Sequence, residues 1–189
     1  METGLLLTSL LLIAFALLAI IDGFYLHIFN YRLHARKESR FEHLTHTIRA
    51  FLFPAIIYSL FLNFDNQWYL IFGILFVVAD LVVLAMDAFS EKDSRTFMGG
   101  LPRWEYILHL FSNAFHFAAI AVFFAVKIRL TSNGIEVRDI SELDYYNFFS
   151  FIAENLIPGS VLLAFLHLGL MFTPFVKKWE QMRSRITCC

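Results

Sequence analysis

Residues 106–126 read YILHLFSNAFHFAAIAVFFAV, and this stretch decides the architecture. At about 1.5 Å of rise per helical residue it is long enough to cross roughly 30 Å of hydrocarbon. Its second part, from Ala119 to Val126, is wholly apolar. Its first part carries His109, Ser112, Asn113 and His116, and with Glu105 just ahead these fall within about 100° of arc at helical spacing. The pattern predicts a membrane span with one polar stripe confined to one end.

Four more stretches qualify as spans. They are Leu5 to about Tyr25, a shorter one from Ile48 to Asn63 that recruits flanking residues to cover 44–63, Trp68 to about Ala88, and 156–175. The whole composition agrees. The 189 residues are 59% hydrophobic and 16% charged, against about 45–50% and 25% in a soluble domain. Mean hydropathy is +0.65, and 23 Phe residues exceed what so small a soluble core can hide. The expected fold class is an all-α integral membrane protein, a single transmembrane domain over 1–189 built as a five-helix bundle. The first run is expected to stay as an anchor. Its leader Met1-Glu2-Thr3 has no basic residue, and the run is too long for a signal-peptide core. A net charge of −1 gives no bulk attraction for nucleic acid, so the expected partners are the bilayer and a hydrophobic small molecule.

Lys and Arg placement predicts the orientation. One side collects Arg32, Arg36, Lys37, Arg40, Arg49, Lys92, Arg95, Arg103, Lys177, Lys178, Arg183 and Arg185, twelve of the fifteen basic residues. The other has only Lys127, Arg129 and Arg138. The N-terminus is therefore expected outside and the tail, 177–189, in the cytoplasm, in a plasma, inner or organelle membrane. On the outer side, residues 127–155 predict a hairpin around Thr131-Ser132-Asn133-Gly134 with Arg129 opposite Glu136. An interfacial lid helix follows, begun by a capping box at Ser141 to Asp144. Cys188 and Cys189 end the chain with no disulfide framework and read as free thiols.

Ionisable residues inside spans cost about 2.5–3.5 kcal/mol at the bilayer centre on insertion scales, so they face a partner or a cavity. Asp80 and Asp87 lie about 20° apart on one helical face, and His27 and His34 repeat that seven-residue spacing. His43 and His46 are adjacent on the next helix, while Asp22 points about 140° away from His27 on an ideal α-helix. His34 and Glu42 are expected to be solvated loop residues, and His167 to sit mid-span as a helix contact or haem ligand. The predicted topology gathers the remaining groups at the cytoplasmic end. Imidazoles with carboxylates in a partly dry site are a ligand set for Fe or Zn.

The expected metal ligands are His27, His46, Asp80, His109 and His116, supported from behind by His43, Asp87, Glu105 and Asn113, with Glu105 orienting His109. The histidine boxes of membrane desaturases are absent, as are Glu-x-x-His pairs, HExxH and nucleotide-binding loops. The leading expectation is a membrane metalloenzyme, an oxidoreductase acting on a lipid or quinone-like substrate. The alternatives are a b-type haem subunit, with His109 or His116 paired to His27 or His167, and a proton- or ion-coupled transporter or non-catalytic assembly subunit.

Overall fold

In the computed structural model, which describes residues 1–132 and 134–187, the chain is mostly helical with one small two-stranded sheet. Helix α1 runs Glu2–Ala19 and continues with π-helical winding through Ile20–Asn30 to a 3₁₀ turn at Leu33–Ala35. Helix α2, Arg40–Ile56, likewise continues as a π-helix over Ile57–Leu62. The change of winding follows Pro54, which has no N–H to give to the preceding turn. Helix α3, Gln67–Ser94, is capped by Asn66, whose side chain accepts from Trp68 N at 3.0 Å. Helix α4 is Arg103–Lys127, strands β1 and β2 are Ile128–Thr131 and Gly134–Val137, and α5 and α6 are Tyr146–Gly169 and Thr173–Thr187.

Among the described residues, five segments are long and apolar enough to cross a membrane: Glu2–Ala35, Arg40–Leu62, Gln67–Met98, Arg103–Lys127 and Tyr146–Gly169. Helix α3 shows why such a bundle suits lipid. Its buried residues are Gly73, Asp80, Asp87, Glu91 and Ser94, while Leu75, Val78, Leu81 and Val82 face outward. A helix that hides its carboxylates and exposes its aliphatics is turned inside out relative to a soluble one.

The bundle is divided lengthwise. The end near the hairpin is packed by Leu5, Leu12, Ile57, Phe61, Phe123 and Phe149. The opposite end, where the Arg- and Lys-rich segments meet, combines buried ionisable side chains with two smaller apolar clusters around Leu26 and Ile28. Helix α6 lies at this basic end, with Trp179 packed on Ile28 and Leu170. Gly169 permits the turn into it, because the Phe175 ring stands 3.1 Å from where a Cβ at 169 would be.

Several expected boundaries move. The fifth span runs Tyr146–Gly169, about ten residues earlier than 156–175. Pro158 and Gly159, a pair that suggests a bend at the entry of the last span, lie well inside the helix. No separate lid helix forms, because Tyr146 to Phe151 are its first turns. The capping box is also absent. Ser141 N instead donates to Asp139 Oδ1 at 2.9 Å, and the helix starts after Tyr145, which adopts φ 70°. The hairpin keeps the expected Arg129–Glu136 register, but its strands extend to a Thr131–Gly134 pair, leaving a two-residue loop instead of four. Cys188 and Cys189 lie outside the described residues.

Candidate metal centre

Four helices each bring a pair of ionisable side chains to one level of the basic end. Asp22 and His27 come from α1's π-helical stretch, Glu42 and His46 from α2, Asp87 and Glu91 from α3, and Glu105 and His109 from α4. Three of the pairs are spaced four apart, which places both members on one α-helical face. The fourth is spaced five apart. In a π-helix, i→i+5 hydrogen bonding puts such residues on one face. Asp22 Oδ1 therefore lies 3.1 Å from His27 Nε2, and the divergence of about 140° expected from ideal α-geometry is corrected by the winding.

The pairs interlock. His109 is held at both ring nitrogens, 2.9 Å from Asp22 Oδ1 and 2.9 Å from Glu91 Oε1. Glu91, not Glu105, is thus the carboxylate that orients His109, since Glu105 Oε1 is 4.0 Å from it. Glu105 turns to Arg95, which has no exposed surface. Arg95 donates to Glu105 Oε1 at 2.8 and 2.5 Å and to Glu42 Oε2 at 2.6 Å, and its Nη2 is 3.0 Å from His27 Nε2. His46 Nε2 lies 3.2 Å from Asp87 Oδ2, and Thr45 Oγ1 donates to Asp87 Oδ1. The His27 and His46 rings meet edge to face, with centroids 4.3 Å apart.

Three groups of donor atoms draw close enough to hold a cation: Asp22, His27 and His46; His27, Glu105 and His109; and Glu42, His46 and Asp87. Glu42 Oε1 is buried without a hydrogen-bond partner and stands 3.8 Å from His46 Nε2, whose own near neighbour is Asp87 Oδ2 at 3.2 Å. A buried polar atom left unpaired costs on the order of 1–3 kcal/mol, and a cation beside Glu42 Oε1 would relieve that cost. Charge points the same way. Asp22, Glu42, Asp80, Asp87, Glu91 and Glu105 are six buried carboxylates, and the cations among them are Arg49 and Arg95. Four negative charges remain to be offset by cations or by protons on histidines.

The expected ligands separate into two stations. His27, His46 and His109 join the cluster, and Asp80 and His116 do not. Asp80 lies between Arg49 Nε at 2.9 Å and His116 Nε2 at 3.2 Å, while Arg49 Nη2 donates to Asn113 Oδ1 at 2.8 Å. His43 stands apart from the donor groups. Its Nε2 is 3.1 Å from the His167 carbonyl, and its ring stacks on His167 at 5.3 Å. His167 is in the last turn of α5 and not mid-span, because the helix ends at Gly169, short of the expected Phe175. Glu42 and His34, expected in solvent, are buried at 0% and 7% exposure. Sequence reasoning placed Arg49 and Arg95 among the loop charges and missed Glu91. The acid-to-His spacing of four in Glu42/His46 and Glu105/His109, repeated as Asp87/Glu91, was the available signal.

A cavity of about 470 Å³ adjoins both stations and reaches Asp22, His46 and His109. Comparison with known protein families, curated proteins and solved structures finds no match to this chain.

Proposed function

We propose that the chain is an integral-membrane metalloenzyme whose metal centre acts on a hydrophobic substrate. The observation that carries this reading is the convergence of acids and histidines from four helices into three groups of closely spaced donor atoms, with an unpartnered carboxylate oxygen at Glu42. Two divalent cations would offset the four uncompensated charges. One would be held by Glu42, His46 and Asp87, the other by Asp22, His27, Glu105 and His109. Mixed imidazole and carboxylate donors suit iron best, with zinc the alternative, and iron favours an oxidoreductase. Asp22, His46 and His109 line the cavity, so a substrate there can approach the centre.

The orientation proposed is N-terminus outside and basic end cytoplasmic. Arg49 and Arg95 are paired inside the bundle and leave the loop tally, yet ten basic residues remain at that end against Lys127, Arg129 and Arg138 at the other.

A proton relay is the second reading, favoured by one observation. His27, His46, His109 and His116 each lie within 3.2 Å of a carboxylate, so four protons could offset the same charge. The haem reading draws no such support, because the nearest groups around His27 and His109 are carboxylates and Arg95. Elemental analysis of detergent-purified protein never exposed to chelator decides between metal and protons. About two iron or zinc ions per chain, reduced in His46→Ala and His109→Ala with folding intact, is the expected result. Folded, metal-free protein overturns the metalloenzyme and leaves the relay.

A further inference from the structure

We propose that the cavity beside the metal centre binds an uncharged, single-headed amphiphile drawn sideways from the bilayer. Its polar head would rest at Arg49 and Asn113, and its hydrocarbon would leave between Ile20 and Leu162. The proposal deepens the metalloenzyme reading by naming its substrate class, and the binding it describes does not itself require the metal.

The shape of the cavity points to this. Its volume of about 470 Å³ falls in the range of small-molecule sites, roughly 300–1,000 Å³. Most of its wall is apolar, built by Phe15, Phe53, Leu156 and Leu163. The space exists because facing helices carry little bulk there: Ala16, Ala19 and Gly23 on the α1 side, Gly159 and Ser160 on α5. A Cβ added at Gly159 meets nothing within 4 Å.

The entrance is lateral. Ile20 and Leu162 both line the cavity and are 55% and 73% exposed on the outside of the bundle. Each lies about two turns or more from the nearest end of its apolar segment. An opening at that height faces hydrocarbon, and a ligand that uses it must already be dissolved in the bilayer. Its tail can remain in lipid however long it is.

The polar end of the cavity selects the head. Among the described residues Arg49 is the one Lys or Arg that lines it, and its charge is met by Asp80. A guanidinium has five N–H donors, of which Asp80 and Asn113 engage two. Donors therefore remain for an oxygen acceptor, while the charge of Arg49 is already matched by Asp80, so no unpaired Lys or Arg is left to balance an anionic head. An alcohol, aldehyde or quinone-like carbonyl fits these terms, and a fatty acid or anionic phospholipid does not.

The test uses full-length protein in nanodiscs of zwitterionic lipid, with a diazirine-bearing hexadecanol as probe and the matching fatty acid as its comparator. The alcohol is expected to label peptides lining α1 and α5. Gly159→Phe should lower that labelling at least tenfold while metal content and thermal midpoint stay unchanged. Gly159→Leu serves if the Phe variant does not fold. Undiminished labelling in the folded variant, or equal labelling by the fatty acid, overturns the proposal. Labelled but metal-free protein overturns only the metalloenzyme reading, and metal-loaded protein with no specific labelling overturns only this one.

Discussion

Arg95 has no exposed surface, yet its guanidinium is fully engaged by Glu42, Glu105, His27 and Ser94. A charge this deep persists only where its partners are equally deep, and Glu42 and Glu105 are both 0% exposed. Removing one side of such a pair leaves the other buried and uncompensated. Arg95→Met is therefore expected to destabilise the protein by about 3–5 kcal/mol, read as a lowered unfolding midpoint in detergent. Adding Glu105→Gln should recover part of that loss, because it removes one of the stranded charges. Full stability in Arg95→Met would show that metal or water, not Arg95, neutralises these acids. Nothing in the local sequence distinguishes Arg95 from the solvated Lys92 beside it. Its role appears only when the end of α3 meets α1, α2 and α4. Glu91 is a different case, since its spacing of four from Asp87 puts both on one helical face, a signal the sequence carries even though its partner, His109, is set only by packing.

Winding and docking carry the consequences at the scale of elements. The π-helical stretch Ile20–Asn30 turns Asp22 toward His27 and His109, a placement that a count at 100° per residue misses. Helix α6 docks by Trp179 and by Glu180, which accepts from Arg32 Nε at 2.8 Å and lies 3.3 Å from Arg183 Nε and 3.4 Å from His34 Nε2. Partial burial pushes the Glu180 carboxyl up, but the Arg32 guanidinium, with Arg183, outweighs it and holds the carboxyl below its usual range near 4.5. A depressed carboxyl contributes its docking free energy in full above the unfolded value and loses it as pH falls through the folded one. In a Trp68→Phe/Trp104→Phe background, Trp179 emission should shift red on acidification below about pH 4.5. Glu180→Gln should show the shifted emission already at pH 7. Emission independent of both pH and the substitution would mean that Trp179 packing alone docks the helix.

For the whole molecule, the lengthwise division between an aromatic core and a charged end makes orientation the first property to measure. A reporter fused after residue 187 should be active only in the cytoplasm, and one fused ahead of Met1 only outside. The reverse pattern would put the buried cluster of acids and histidines at the opposite face. Five apolar segments and the clustering of ionisable residues at one end were readable in the sequence, because both depend on composition along single helices and on the alternation of spans. The hairpin register was readable too, since alternation and turn residues act over a few positions. The start of α5 was not, because Pro158 and Gly159 look like punctuation until Tyr146 to Phe151 are seen to supply the helix's first turns. The site divided in the same way. The sequence by itself determined that His27, His46, Asp80, His109 and His116 lie on apolar helices among other ionisable residues. Tertiary structure alone decided that Asp80 and His116 pair with Arg49 apart from the other three, that Glu91 stands behind His109, and that Arg95 is buried between two glutamates. Those pairings depend on the rotation and height of one helix against another, and one-dimensional periodicity carries no information about either.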